Sequence, residues 1–239
     1  MASLVKREID LGNQVIVTVS AMAGTTDQLV GYVREMSDLP NDAAWAEYDF
    51  VVSTGEQITS GLLALYLQSV GLPARAFAGW QMKFITDAIH GKARIDHIET
   101  ETVRATLAEG KVVVVAGFQG VTQDGRVTTL GRGGSDTTGV ALAAAFGADR
   151  CDIYTDVDGI YTCDPRIVTR ARKMHQVSYE EMLEMASQGA KVLQTRSVEM
   201  AMNHGVKVQV LSTFSDEPGT FLVNEEEIVE QQKVTGIAY

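Results

Sequence analysis

The chain has 239 residues, 45% of them hydrophobic, and a formal charge of −11 at pH 7. That is enough apolar material for one large α/β core or two smaller ones, while the acidic balance excludes a general nucleic-acid or anionic-membrane binder, which needs a basic face. Two cysteines, Cys151 and Cys163, and four histidines without ligand-like spacing indicate neither a disulfide framework nor a zinc site.

No apolar run approaches a membrane span, and the start at Lys6-Arg7-Glu8 is followed by no signal-peptide core, so a reducing cytoplasm is the expected compartment. Residues 14–21 are β-branched and almost continuously apolar, as a parallel strand covered on both faces should be. The strand ends in Ala23-Gly24-Thr25-Thr26-Asp27, and a helical period begins at Leu29. Thr26 reads either as a plain helix cap or as a hydroxyl facing a ligand.

Helices are predicted over 45–52 and 58–70, broken at Ser53-Thr54-Gly55-Glu56 and stopped by Gly71-Leu72-Pro73. Glu56 near a helix start complements the dipole or serves a site. Short strands follow at 74–79 and 94–97, then a helix over 99–107 closed by Gly110. Residues 111–116 form the clearest buried strand, leading through Gly117-Phe118-Gln119-Gly120 to a hairpin signal at Asp124-Gly125.

The hairpin delivers the chain to Thr128-Thr129-Leu130-Gly131-Arg132-Gly133-Gly134-Ser135-Asp136-Thr137-Thr138, which runs into an apolar segment at 140–146. This reads as a strand end, a glycine turn and a helix start capped by Ser135 or Asp136. Free N–H groups and the helix dipole favour an anion there, and Arg132 adds a planar fork for a carboxylate or phosphate. Asp136 would repel a bare phosphate but pair with an ammonium group or organise lysines, so arginine beside aspartate suggests a zwitterion. A tight connection without a ligand is the alternative. The spacing fits neither the dinucleotide fingerprint nor a P-loop.

Residues 152–154 form a strand that ends in a polar loop, Thr155 to Arg166, which is either a ligand loop or a long surface turn. Ser178 with Glu181 makes a capping box. A helix over 190–203 would carry Lys191 in its first turn, where a cation is misplaced unless it reaches for an anion or snorkels. A strand at 206–211, an edge strand at 219–223, an acidic linker at 224–227 and a further strand start at 234–239 complete the chain.

Alternating strands and helices predict a three-layer α/β/α sandwich with a mainly parallel central sheet, with residues 1–223 as one domain and 224–239 as linker and the start of another. Such sheets bind ligands at the carboxyl ends of their strands. Five loops fit: 23–27, 53–56, 117–120, 131–136 and 155–166.

Val19-Ser20-Ala21-Met22-Ala23-Gly24, Ser53-Thr54-Gly55-Glu56, Gly117-Phe118-Gln119-Gly120, Thr129 to Asp136, Tyr154 to Tyr161, Asp164-Pro165-Arg166 and Gly189-Ala190-Lys191-Val192-Leu193 together resemble aspartate kinase, of the amino acid kinase superfamily. The resemblance implies transfer of the γ-phosphoryl group of ATP to the side-chain carboxylate of L-aspartate. The product, 4-phospho-L-aspartate, leads to threonine, methionine and, through diaminopimelate, lysine. It implies Ser20, Thr26, Glu56, Arg132, Gly133, Gly134 and Ser135 as the amino-acid site, with Asp136 and Lys191 catalytic. It implies Thr155, Asp156, Tyr161, Thr162, Cys163, Asp164, Pro165, Arg166 and Lys191 as the nucleotide site. Mg²⁺ is expected through the nucleotide phosphates rather than on protein ligands, and the full-length protein is expected to be a homo-oligomer.

The sequence departs from the family pattern at both ends. The family's opening Lys-Phe-Gly-Gly-Thr-Ser strand is missing, and residues 234–239 resemble the opening of a regulatory ACT domain and then stop. Impaired turnover and no feedback inhibition are the expectations for this chain. Kinases acting on glutamate, N-acetylglutamate, carbamate or UMP, and a non-catalytic nucleotide- or amino-acid-binding module, are the competing readings.

Overall fold

In the computed structural model, which describes residues 1–190 and 192–228, the valine run becomes β5 (Val112–Ala116), every residue of it buried. It is the middle strand of a parallel sheet, between β1 (Ile16–Val19) and β2 (Ala74–Phe77). Burial on both faces explains the lack of polar alternation. Val5 of α1 (Ala2–Asp10) and Ala64 and Leu67 of α4 (Thr54–Ser69) pack against Val19, Ala74, Val112 and Val114.

Three more helices belong to this first unit: α2 (Thr25–Met36), α3 (Asp42–Val52) and α5 (Glu101–Ala108). A second sheet has the order β4 (Ile95–Ile98), β3 (Phe84–Thr86), β6 (Gln119–Val121), β7 (Val127–Thr129). β3 and β6 are parallel, and the other two pairings are antiparallel. The predicted hairpin is the β6–β7 pair, its turn closed by the Thr122 amide on the Arg126 carbonyl at 2.8 Å.

The first unit ends at Thr138, inside α6 (Gly134–Phe146), and a second begins at Gly139. In the second, β8 (Cys151–Thr155), β10 (Val208–Ser212), β11 (Thr220–Val223) and β9 (Gln176–Ser178) lie in that order. The outer pairs are parallel and the central one antiparallel. Met182 and Met185 of α7 (Tyr179–Ser187) and Val198 and Ala201 of α8 (Thr195–His204) share a core with Val208, Val210 and Leu222. The fold is of the α/β class with mostly parallel pairing, as expected, but the pairing is divided among three sheets.

Several local readings are corrected. Residues 53–56 are a helix junction, not a loop after a strand: Ser53 stays in the right-handed helical region and its hydroxyl donates to the Phe50 carbonyl, so α3 and α4 nearly abut. The cap before α2 is Gly24, left-handed at φ 79°, so Thr26 lies in the first turn rather than capping it. Likewise α6 starts at Gly134, which puts Ser135 and Asp136 in its first turn.

The helix predicted from residue 190 begins only at Thr195. Gly189 instead terminates α7: the Ala190 amide reaches the Met185 carbonyl at 2.9 Å and the Gly189 amide the Ala186 carbonyl at 3.3 Å, a Schellman end. The dipole argument for Lys191 therefore fails, and Lys191 itself lies outside the described residues, as do residues 234–239. Residues 225–227, within the expected linker, form a short 3₁₀ turn capped by Asn224, which leaves that expectation untouched. The Ser178 capping box forms in full.

Gly219 precedes β11 where no side chain fits, because a Cβ would fall on the Val210 carbonyl oxygen, 2.8 Å from its carbon. Gly219→Ala should cost about 2 kcal/mol, the scale of overpacking strain. A urea titration followed by far-UV circular dichroism measures it.

Candidate active site

Three close approaches in the first unit build a cleft. At Gly55 an added Cβ would sit 2.8 Å from Ala21 Cβ, so only glycine lets the start of α4 come this near the end of β1. The next residue, Glu56, then accepts the Ala21 amide on Oε1 at 3.1 Å. Buried Gln119 steadies the junction, donating to the Ser53 carbonyl at 2.9 Å and accepting from Gln57 at 3.1 Å.

At Gly117 a Cβ would meet Ser135 Oγ and Thr18 Cγ2, each at 2.9 Å, and at Gly134 it would meet the Phe118 ring at 2.7 Å. These two glycines seat the first turn of α6 against the end of β5. Gly131 and Gly133, at φ 78° and 70°, then turn the Arg132 segment without the strain a Cβ would bring.

The result is an open cleft of about 560 Å³ lined by Ser20, Ala21, Thr26, Trp45, Tyr48, Glu56, Gly91, Phe118 and the run Gly131 to Asp136. Ser20, Thr26, Glu56, Arg132, Gly133, Gly134, Ser135 and Asp136, singled out from sequence, therefore meet at one place.

The cleft's charges are unusual. Glu56 is 3% exposed, and its Oε2 is buried with no hydrogen-bond partner among the described residues. Burial raises its pKa, and the Ala21 amide only partly opposes this. Burial alone pushes Asp136 up to about 6. A carboxylate left buried without a donor costs free energy unless a cation arrives. Arg132 is exposed, and among the described residues no carboxylate pairs with it.

In the second unit, Thr155 ends β8 and its hydroxyl donates to Asp156 at 3.1 Å. The loop then folds back on itself. Tyr161 bridges Lys173, and the Thr162 amide donates to the Arg172 carbonyl at 3.0 Å. The Tyr161 hydroxyl donates to Asp158, and Asp164 pairs with Arg166 at 2.6 Å. Buried Thr220 pins the loop to β11, accepting the Ile160 amide at 2.8 Å and donating to the Met174 carbonyl at 2.6 Å. Thr155, Asp156, Tyr161, Thr162, Cys163, Asp164, Pro165 and Arg166 thus belong to one ordered loop after a parallel strand. Neither Cys151 nor Cys163 is in a disulfide, and no group of three acidic, histidine or cysteine side chains suited to a metal occurs among the described residues.

A model of the amino acid kinase family matches residues 1–212. The chain belongs to the amino acid kinase family. It is 51% identical over 240 residues to an aspartate kinase of Pseudomonas putida, covering 100% of this chain and 58% of that relative, so it spans about three-fifths of the relative's length. It is also similar to the crystal structure of aspartate kinase from Synechocystis, with TM-score 0.80 and 47% identity over 93% of this chain and 36% of the other. Aspartokinase III of E. coli, solved in complex with aspartate and ADP, superposes with TM-score 0.82 and 30% identity, over 95% of this chain and 61% of that one.

In this amino acid kinase, sequence reasoning missed part of the cleft wall. Trp45 and Tyr48 read as ordinary helix residues, yet α3 presents both to the cleft, their rings edge to face at 5.1 Å. Gly91 carries no local sequence signal of a role in a site. Phe118 carries a left-handed φ of 68°, which no local pattern announces for an aromatic residue.

Proposed function

We propose that the chain is the catalytic part of an aspartate kinase, transferring the γ-phosphoryl group of ATP to the side-chain carboxylate of L-aspartate. The observation that carries this reading is the buried Oε2 of Glu56 in the same cleft as the exposed guanidinium of Arg132, neither of them with a partner among the described residues. One suits an ammonium group and the other a carboxylate, the two charges of a free amino acid.

In the reaction a side-chain carboxylate oxygen forms the new bond to the γ-phosphorus while the bond to the β,γ-bridging oxygen breaks, releasing ADP. The nucleophile is already ionised at neutral pH, so no general base is required. Positioning and charge neutralisation carry the rate. Ser20, Thr26, Arg132, Gly133, Gly134 and Ser135 would hold the amino acid with Glu56, Asp136 and Lys191 would be catalytic, and Thr155, Asp156, the run 161–166 and Lys191 would hold the nucleotide. Mg²⁺ would neutralise the phosphates, held through the nucleotide. We place the protein in the cytoplasm, as a homo-oligomer in its complete form.

Thermal unfolding with Mg·ATP plus L-aspartate, L-glutamate, N-acetyl-L-glutamate or UMP tests the reading. A ligand at a hundred times its dissociation constant adds about 2.7 kcal/mol. Stabilisation specific to L-aspartate is expected. Equal stabilisation by L-glutamate, or a response to UMP alone, would assign the cleft to another acceptor.

A further inference from the structure

The most densely bonded buried side chain beside the cleft is Asp49, on the α3 face opposite to solvent and 0% exposed. Its carboxylate accepts the Thr129 hydroxyl at 2.5 Å, His90 Nδ1 at 2.7 Å and the Gly91 amide at 3.0 Å. These donors come from β7 and from the turn between β3 and β4, 80, 41 and 42 residues away in sequence. Burial raises its pKa, and the hydrogen bonds from Thr129, His90 and Gly91 oppose that rise.

What the nest holds is the wall of the cleft. Gly91, left-handed at φ 76°, lies under the Trp45 ring so closely that a Cβ would be 2.8 Å from it. On its other side the Gly91 carbonyl is 3.1 Å from where a Cβ of Gly131 would stand. Gly131 is the residue before Arg132 and follows Thr129 by two. The same turn is tied to β7 again by the Ala93 amide on the Thr129 carbonyl at 2.9 Å. Helix, turn and arginine loop therefore have one common anchor.

We propose that Asp49 is a positioning residue of the amino-acid site: by accepting from Thr129, His90 and Gly91 it fixes the Gly91 turn between Trp45 and Gly131, and so sets where Arg132 meets the substrate carboxylate. It touches no substrate itself. The proposal rests on the amino-acid reading of the cleft, and the test separates the two.

Calorimetric titration of the chain with L-aspartate and with Mg·ADP is compared for wild type, Asp49→Asn and the near-isosteric Thr129→Val, alongside amide hydrogen exchange. Asp49→Asn should weaken L-aspartate at least tenfold and Thr129→Val about threefold, with Mg·ADP changed less than twofold. Exchange should quicken at residues 89–92 and 131–134 while β5 stays protected. Thr129→Val carries the test if Asp49→Asn does not fold. Unchanged L-aspartate affinity in a variant whose wild type binds it, or equal weakening of both ligands, overturns the proposal. If wild type fails to bind L-aspartate, the substrate reading falls and exchange alone decides the anchor. Quickening confined to the two turns sustains it, and unaltered exchange in both variants overturns it.

Discussion

Replacing Asp136 with asparagine is expected to make the chain more stable at neutral pH while reducing aspartate-dependent ADP formation at least 100-fold relative to the same chain with Asp136, the scale of removing a preorganised charge from a phosphoryl-transfer site. The stability gain follows from the titration of Asp136. Its carboxyl, ordinarily near 3.8, is pushed up to about 6 by burial. Below pH 4 both folded and unfolded states carry the proton. Between about pH 4 and 6 the unfolded chain loses it and the folded chain keeps it, so stability falls as pH rises, and above 6 the loss is complete.

A shift of about two units corresponds to roughly 3 kcal/mol, but Asp136 is partly open to the cleft and solvent screening reduces this to about 1–2 kcal/mol. Asparagine has the shape without the charge. The difference in unfolding free energy between Asp136→Asn and wild type should therefore be near zero at pH 4 and grow to its full value by pH 7. Comparing two chains cancels the titration of the other carboxylates. A difference that is flat across this range would mean that Asp136 is solvated in the folded protein. A stable variant with lost turnover is the trade expected where a strained charge serves chemistry.

How much of this was legible in the sequence depends on how local each cause is. The valine run of β5 announced a two-face-buried strand because its burial is written in its own residues. The Ser178 capping box and the Asp124-Gly125 turn were readable for the same reason. The start of α8 was misjudged because Gly189 closes the preceding helix, and nothing in the residues from Ala190 on tells that apart from a helix beginning. β3 went unseen: three residues, Phe84-Ile85-Thr86, are too few to show a period, and they follow Lys83 in the left-handed region at φ 49°.

The cleft shows the same division. Thr26, Glu56 and the Arg132 turn stood out because glycine, hydroxyl and charge beside a strand or helix end suggest a ligand, whereas Ser20 was implied only by the resemblance to the family. Trp45, Tyr48 and Gly91 did not, since their role exists only through the pairing of Asp49 with donors 41 or more residues distant. A helical aromatic and a turn glycine look ordinary until that pairing is known.

Glu56→Gln should separate binding from folding with opposite signs. Glutamine keeps an oxygen for the Ala21 amide, so the junction of β1 and α4 should survive. It removes a charge that burial disfavours, so the unliganded variant should be no less stable than wild type. L-Aspartate, however, loses the partner of its ammonium group. Removing one member of a buried charged pair costs about 2–5 kcal/mol, which puts the loss of affinity at 30-fold or more, read by calorimetry, with Mg·ADP binding unchanged. The pH dependence carries a second signature. Because the Glu56 pKa is raised, wild-type affinity should weaken as pH falls through that raised value, where the carboxylate takes up a proton and can no longer neutralise an ammonium. In Glu56→Gln the part of this acid limb that belongs to Glu56 should vanish, leaving weak binding whose remaining pH dependence is that of Asp136 near pH 6. An affinity unchanged by the substitution would place the ammonium elsewhere in the cleft, with Asp136 as the other cleft carboxylate to test.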